Sequence, residues 1–389
     1  MCMTDNTKVV IFHGFIPPYR LPLFSELSKQ IPDIQFIVAA PMEFNRQWPA
    51  DFGKLNVIVQ KSISVRMWWR THDFKELMPV NLPIDSLKLL FRLRPQAVVS
   101  PHFGAQTCWA ALYKILRPRT RFIIWATASE RTEAGRGWFR TTLRRLLVAC
   151  ADGAVVNGKS GQNYVRKLGM PDVRMWTVPY TIDNSAFRHS DEPTSDRTTA
   201  HSLLFTGQLI PRKGLDRFLR ALSGFMLERP GIECSFEIVG TGHQRKELEE
   251  IPIPRNLSVR FLDGLGYDQL PAVYARAGVF VFPTLADEWG VVVNEALAAG
   301  LPVLGSVYSQ AVEELIRDGV NGWTFRPDDD TDVIRALSEI FSLTAEQVDA
   351  MRPNCRKSIE ALTPAATATT LARAIANTSP DHTRPSEAI

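Results

Sequence analysis

The stretch that decides the fold is "VFVFPTLADEWGVVVNEALAAGLPVLGS", residues 279–306. Its two ends, "VFVFPT" and "PVLGS", are short apolar runs typical of buried strands, and "VVVNEALAA" between them has a helix-forming composition. Gly290 allows a close turn before the helix, and Gly300 is suited to end it. A strand, a helix and a second strand in this order predict parallel strands joined by a crossover helix.

Similar units recur along the whole chain. The candidate strands of the first half are "KVVIFHG", "IQFIVAA", "LNVIVQ", "AVVSPH", "RFIIWA", "GAVVNG" and "RMWTVP"; those of the second half are "SLLFTG", "SFEIVG", "VRFLDG", "VFVFPT" and "PVLGS". The pattern predicts two doubly wound α/β domains, with ligands beyond the carboxyl ends of their strands and in a cleft between them. We expect a first domain over 1–183, a polar linker over 184–200, a second domain over 201–355, a helix at about 356–376 that returns to the first domain, and a tail over 377–389.

Composition excludes several classes of protein. The 389 residues are 45% hydrophobic and 22% charged, as in globular proteins, and the five cysteines have no paired spacing, so we expect neither a disulfide framework nor a zinc site. No signal-peptide pattern or membrane-length apolar run is present, which favours a cytoplasmic protein. Gly240 and Gly242 lack the third glycine of a dinucleotide fingerprint, and a Walker phosphate loop is also missing.

Positive charge is concentrated in the first half. Residues 1–183 contain 25 Lys and Arg against 13 Asp and Glu, whereas the remainder is acidic. A basic domain suggests an anionic partner: nucleic acid, a membrane surface or a phosphorylated lipid. Because no nucleic-acid-reading motif is found, we expect no nucleic-acid partner.

The segment "GRGWFRTTLRRLLVACA", residues 135–151, allows two interpretations. It predicts an amphipathic helix that covers the sheet with an apolar face (Phe139, Leu143, Leu146, Leu147 and Cys150) and presents a basic stripe (Arg136, Arg140 and Arg144) near Trp138. The helix is then either an ordinary surface helix or a membrane-facing one. "VRMWWRTH", residues 65–72, forms a second aromatic and basic patch.

Acidic and basic residues surround the stretch quoted first. Asp287 precedes the predicted helix and Glu295 lies about one turn inside it, while Arg212 and Lys213 lie in the loop of "LLFTGQLIPRKGLDRFL". A helix N-terminus and two cations suit a diphosphate, and a carboxylate can accept hydrogen bonds from two neighbouring hydroxyls. The pattern therefore fits a nucleotide sugar, although a lone Arg-Lys pair is also common in a solvated surface turn.

Five motifs in order carry a family resemblance: "TGQLIPRKGLD", "FEIVGTGHQRKEL", "VRFLDGLGYDQLPAVYARAGVFVFPT", "DEWGVVVNEALAAGLPVLGS" and "EELIRDGVNGWTF". Over Ser202–Phe325 the chain resembles the donor-binding domain of the retaining glycosyltransferases of family 4, which have the GT-B fold. The resemblance implies that Lys213 and Arg212 neutralise the donor diphosphate and that Glu295 holds the ribose diol. It also implies that Asp287 contacts the sugar, with Glu288 in reserve because the family has glutamate where Asp287 stands.

The resemblance implies further donor contacts along the loops: Gly207, Gln208, Gly290, Val291 and Val292. Gln208 stands where the family commonly has arginine, which puts more weight on Arg212 and Lys213. In the first half, "VVIFHGFIPPYRLPLFSEL" lacks the paired glycines frequent in the family's first loop. His102 falls where the family often has a histidine that touches the sugar, although a histidine at a strand end is often structural.

The implied function is transfer of a hexose from a nucleotide diphosphate sugar to a glycolipid, polyprenyl-linked or polysaccharide acceptor with retention of configuration. We expect no metal and no cofactor, and a location in the cytoplasm or at the anionic inner face of the plasma membrane. The alternatives are a nucleotide-sugar epimerase or a phosphorylase on the same fold, and a non-catalytic nucleotide-sugar-binding protein.

Overall fold

The structure is a computed structural model that describes residues 7–43, 48–70, 74–135, 137–188 and 201–376. The chain divides into two compact units. The first comprises Met1–Trp69, Leu77–Ile182 and Leu362–Ile389, and the second comprises Arg70–Glu76 and Asp183–Ala361.

The first unit is built on a parallel sheet. Its strands are β1 (Val9–His13), β2 (Ile34–Val38), β3 (Val57–Val59), β6 (Ala97–Pro101), β7 (Arg121–Ala126), β8 (Gly153–Val156) and β9 (Met175–Thr177). The spatial order is β3-β2-β1-β6-β7-β8-β9. Between β3 and β6 the chain forms a separate two-stranded sheet of β4 (Ser62–Arg70) and β5 (Lys75–Pro83). The candidate strands did not include this pair.

Helices cover both faces of the first sheet. They are α1 (Leu21–Gln30), α2 (Ser86–Leu93), α3 (Ala105–Leu116), α4 (Trp138–Cys150), α5 (Lys159–Lys167) and, from the far end of the described chain, α14 (Pro364–Ala376). Helix α14 packs on α1 and buries Ala368, Leu371 and Ile375 in the same core as Phe24 and Leu27.

The orientation expected for α4 is wrong in part. Arg144 is buried rather than exposed, and its guanidinium contacts Glu133 and Tyr164. Because this ion pair draws the Arg144 side of the helix inward, part of the predicted apolar face turns outward: Phe139 and Leu146 are 71% and 61% exposed. Leu147 of that face is buried in the core, and Cys150 packs against it, as predicted. Arg140 is exposed as expected, and Arg136 lies outside the described residues.

The second unit contains the other parallel sheet. Its strands are β10 (Ser202–Thr206), β11 (Cys234–Val239), β12 (Leu257–Leu262), β13 (Val279–Phe282), β14 (Val303–Ser306) and β15 (Gly322–Phe325), in the order β12-β11-β10-β13-β14-β15. The helices are α6 (Asn184–Phe187), α7 (Leu215–Leu227), α8 (Arg245–Glu249), α9 (Leu270–Arg276), α10 (Val291–Ala298), α11 (Gln310–Leu315), α12 (Asp330–Phe341) and α13 (Ala345–Lys357).

The prediction of two doubly wound parallel α/β sheets is confirmed. The expected boundaries shift in detail, because α6 begins inside the predicted linker, where the Asp183 carboxylate accepts a hydrogen bond from the Ser185 amide. The rest of that linker from 189 onward and the tail over 377–389 lie outside the described residues. Within the described ranges no helix is long and apolar enough to cross a bilayer.

Candidate functional site: an ion-paired loop cluster and a buried glutamate

A glycine turn allows the charged loops of the second unit to lie close together. Strands β10 and β13 are hydrogen-bonded neighbours, so the loops at their carboxyl ends lie side by side. Gly214, with φ of 65°, ends the turn Pro211–Lys213, and a Cβ there would lie 2.3 Å from the Pro283 carbonyl oxygen. Only glycine therefore allows the Arg212-Lys213 loop to approach the loop after β13 this closely.

Lys213, Arg212 and Asp287 form one ionic cluster. Lys213 Nζ lies 2.5 Å from Asp287 Oδ2, and Arg212 Nη1 lies 3.4 Å from the same oxygen. Arg212 Nη1 also donates to the Ala286 carbonyl oxygen at 3.1 Å. The structure thus joins the two predicted phosphate-binding cations to the acid that we expected at the sugar.

The charge state of Asp287 follows from this pairing. Burial alone would raise the pKa of the carboxyl group, but the positive charges of Lys213 and Arg212 outweigh burial and hold the pKa below its usual value. The Trp289 amide donates to the other carboxylate oxygen at 3.4 Å. Asp287 is therefore ionised at neutral pH and serves as the counter-ion of both cations.

Glu295 lies deeper in the same unit and forms no ion pair with a cation of the described residues. It is buried, and the Tyr274 hydroxyl donates to Glu295 Oε2 at 2.8 Å. Burial raises the pKa of Glu295 to about 8, an effect that the Tyr274 hydrogen bond only partly offsets. Tyr274 in turn lies 2.7 Å from Thr206 Oγ1, at the end of β10. Glu295 is therefore largely protonated at neutral pH in the ligand-free protein.

Helix α10 begins at Gly290, as predicted. Gly290 has φ of 99°, and a Cβ at this residue would lie 2.6 Å from a ring carbon of Phe282. The amides of Val291 and Val292 lie in the first turn, where helical geometry provides no intrahelical acceptor. Glu288 is half-buried, and its carbonyl oxygen accepts from Gln310 Nε2 at 2.5 Å. The first turn of α10 thus offers amide donors in the loop that carries Asp287.

The first predicted donor loop follows β10 directly. The Gly207 amide donates to the Val239 carbonyl oxygen at 3.0 Å, and a Cβ on Gly240 would lie 1.8 Å from the Gly207 carbonyl oxygen. Two glycines in adjacent loops therefore allow close backbone contact. Gln208, the residue that stands in place of the expected arginine, is half-buried beside them.

Two residues of this site escaped sequence reasoning. Glu76 is buried, and its Oε2 lies 3.5 Å from Arg212 Nε. Tyr274 fixes the carboxyl group of Glu295 from a helix 21 positions earlier in the chain. Neither residue lies in a recognisable motif, although the tyrosine at an otherwise apolar helix position was a signal that could have been followed.

His102 lies in the first unit, at the end of β6. Its backbone has φ of 57°, an unusual value for a non-glycine residue, and its Nδ1 is 2.6 Å from Thr127 Oγ1. The strained backbone and the hydroxyl partner fix the ring at the carboxyl edge of the first sheet. Throughout the described ranges no group of three or more His, Cys, Asp or Glu is arranged to hold a metal ion.

Residues 200–342 match the family model "Glycosyl transferases group 1". An uncharacterized glycosyltransferase of Methanocaldococcus jannaschii is 34% identical over 143 residues, which cover 35% of this chain and 36% of the relative. A D-inositol 3-phosphate glycosyltransferase of Acidothermus cellulolyticus is 28% identical over 191 residues, or 45% of this chain and 42% of the relative. The matched segments thus span less than half of these relatives.

Solved structures extend the likeness to nearly the whole chain. Anabaena Alr3699/HepE in complex with UDP superposes with a TM-score of 0.69 at 14% identity, covering 96% of this chain and all of that one. WaaG, a glycosyltransferase involved in lipopolysaccharide biosynthesis, gives 0.66 at 17% identity over 95% of this chain and all of that one. The chain therefore has the two-sheet α/β fold of these proteins, and its residues 200–342 match the glycosyl transferases group 1 model.

Proposed function

We propose that this protein transfers a hexose from a nucleoside diphosphate sugar to an acceptor hydroxyl with retention of anomeric configuration. The observation that supports this most directly is the convergence of Lys213, Arg212 and the first turn of α10 on one loop cluster. These groups are suited to stabilise the negative charge that develops on a departing diphosphate.

The acids of the site would recognise the two ends of the donor. Asp287 leaves its cations when the diphosphate takes its place and then accepts hydrogen bonds from sugar hydroxyls, with Glu288 as the reserve acid in the same loop. Glu295 accepts from the ribose diol, and His102 of the first unit contacts the sugar. Gly207, Gln208 and the amides of Val291 and Val292 complete the donor contacts. That a structural relative carries UDP supports a nucleotide donor.

The decisive experiment combines a nucleotide panel with product analysis. Uridine, guanosine and adenosine diphosphates are titrated in a thermal-shift assay, and we expect one of them to raise the melting temperature clearly more than the others. The matching sugar nucleotide is then incubated with candidate acceptors, and the anomeric proton coupling of the product is read by NMR. We expect a product with the donor's configuration.

Other outcomes would replace the proposal. Conversion of the donor without an acceptor would indicate an epimerase, and a strict need for inorganic phosphate would indicate a phosphorylase. Binding without turnover across all acceptors would indicate a non-catalytic sugar-nucleotide-binding protein.

We further propose that the acceptor is lipid-linked and that the first unit docks on an anionic membrane surface. Helices α3 and α4 pack together and expose seven large apolar side chains, the α3–α4 face: Leu112, Ile115, Leu116, Trp138, Phe139, Leu143 and Leu146. Neither helix contains an aspartate or glutamate, and Arg140 and Arg145 of α4 are exposed.

Apolar side chains beside unopposed arginines match an anionic bilayer, because the first can enter the headgroup region and the second attract lipid phosphates. Co-sedimentation with vesicles of phosphatidylcholine, with and without phosphatidylglycerol, tests this. We expect binding to rise with phosphatidylglycerol content and to fall with salt. Binding that ignores both variables would refute the membrane part of the proposal and leave the transfer reaction untouched.

A further inference from the structure

Arg20 is a buried cation in the first unit, and no acid of the described residues forms an ion pair with it. It ends the short turn Pro18–Arg20 after β1, and its side chain is 1% exposed. Among the described residues no carboxylate forms an ion pair with it, and its Nε and Nη1 atoms have no hydrogen-bond acceptor. An isolated buried guanidinium is unfavourable, because its hydration is lost without replacement.

Aromatic rings take up the faces of this guanidinium. Its central carbon lies 3.6 Å from the centroid of Tyr180 and 4.8 Å from that of Trp125. Such stacking stabilises a cation through the ring faces, but it leaves the in-plane N–H groups unused. The rings therefore hold Arg20 in place without satisfying its donors.

Within the described part of the chain, the surroundings of Arg20 supply hydrogen-bond donors and no ion-paired carboxylate. The Trp125 indole Nε1 is also buried without a hydrogen-bond acceptor among the described residues. His13, at the end of β1, stays neutral, because burial and the charges of Arg20 and His102 lower its pKa to about 3. Several unsatisfied donors around one cation are complementary to an oxyanion.

We propose that Arg20 and Trp125 form a recognition site for an anionic group of the acceptor substrate, a phosphate or a carboxylate. The site lies at the carboxyl edge of the first sheet, where open parallel sheets place their ligands. Since the guanidinium is almost fully covered, Tyr180 or another covering side chain moves aside when the anion enters. The anion site stands on the geometry of Arg20 alone; its assignment to the acceptor rests on the proposed transferase function.

Thermal shift of the full chain tests anion binding. Sodium phosphate and sodium acetate are compared with sodium chloride at matched ionic strength, for the wild type and for Arg20→Met, Arg20→Lys and Arg92→Met. Arg92 is an exposed arginine of α2 and serves as the control. We expect at least one oxyanion to stabilise the wild type and Arg92→Met, with binding weakened about tenfold or more in Arg20→Met and less in Arg20→Lys.

Stabilisation by phosphate alone assigns a phosphorylated acceptor, and stabilisation by acetate alone assigns a carboxylate-bearing one. Equal oxyanion effects in the wild type and Arg20→Met, or none beyond chloride, would overturn the site. If Arg20→Met does not fold, undiminished oxyanion binding by Arg20→Lys would overturn it instead.

Phosphate can also reach Lys213, so the series is repeated in Lys213→Ala, where the effect at Arg20 must persist. Nucleoside diphosphate is titrated into each variant in parallel. Loss of its binding in Arg20→Met would refute the acceptor assignment, whereas its failure to bind the wild type would refute the transferase proposal and leave the anion site standing.

Discussion

Two groups of covered cations, Lys213 with Arg212 in the second unit and Arg20 in the first, lie in contrasting surroundings. In the second unit Lys213 and Arg212 share the carboxylate of Asp287, and Arg212 also lies beside Glu76, so two acids balance the two cations of the loop cluster. In the first unit Arg20 is buried between rings and pairs with no acid of the described ranges, and the exposed Arg140 and Arg145 lie on α4, a helix that contains no carboxylate. Under the proposed function a diphosphate displaces an acid in the second unit, whereas an anion that reaches Arg20 displaces no acid of the described residues.

This contrast gives a physical meaning to the charge asymmetry of the sequence. Residues 1–183 contain more Lys and Arg than Asp and Glu, so their positive charge is only partly balanced within this segment. The unbalanced charge can attract an anionic partner.

The largest expected effect is on the rate of transfer when the Lys213 cation of the loop cluster is removed. Lys213→Ala should lower the rate of transfer on the order of a hundredfold, because the departing diphosphate loses its main charge partner. Turnover with saturating sugar nucleotide measures this. Lys246→Ala is the control, since that ammonium is exposed on α8. Activity within a few-fold of wild type would remove Lys213 from the mechanism.

Glu295 should make stability depend on pH. Its pKa is raised from the usual 4.5 to about 8, so the folded protein keeps a proton that the unfolded chain releases. The free energy of unfolding should consequently fall as pH rises from about 4.5 to 8. Glu295→Gln removes this pH-dependent loss. The free energy of unfolding of the variant should exceed that of the wild type by a few kcal/mol at pH 8, with little difference at pH 4.5.

Urea unfolding at a series of pH values measures the Glu295 effect. Glu250→Gln, which changes an exposed acid, should track the wild type throughout. If the free energies of unfolding of the wild type and Glu295→Gln differ by a constant amount across this pH range, the carboxyl group does not titrate as proposed.

The α3–α4 face should contribute a smaller, membrane-specific effect. Trp138 and Phe139 are 80% and 71% exposed, so the double substitution by alanine removes apolar area without opening a cavity. Binding to phosphatidylglycerol vesicles should fall about tenfold, while the melting temperature stays unchanged. Leu227→Ala, an exposed leucine of the second unit, should leave vesicle binding as it is.

The smallest effect is expected from removing the competition between Asp287 and a diphosphate for Lys213 and Arg212. Asp287→Asn should free Lys213 and Arg212, and free nucleoside diphosphate should then bind about fivefold more tightly. Transfer should nevertheless decline, because the amide also donates where a carboxylate only accepts from sugar hydroxyls. Calorimetric titration gives the affinity. Weaker nucleotide binding by this variant would show that Asp287 does not compete with the diphosphate.

The fold could be predicted from the sequence because parallel strands are buried on both faces and are therefore almost continuously apolar. "VFVFPT" and "PVLGS" became β13 and β14 for this reason. The glycine turn before α10 could be predicted in the same way. The α4 orientation was not, because the partners that draw Arg144 inward, Glu133 and Tyr164, are 11 and 20 positions away.

The composition of the loop cluster was predictable, but its internal pairing was not. Motif order placed Lys213, Arg212, Asp287 and Glu295 in one site. Only the three-dimensional structure shows that Asp287 binds a lysine 74 positions earlier and that the Tyr274 hydroxyl donates to Glu295. Arg20 gave no signal at all, because the lack of an acidic partner is a property of packing rather than of spacing.

Helix α14 sets an order of assembly. The apolar surface of α1 is closed by a segment translated more than 330 residues later, while nearly all of the second unit is one continuous stretch of chain. On the ribosome the second unit can therefore finish while the first still exposes Phe24 and Leu27. A nascent chain halted before α14 would present this uncovered flank to chaperones.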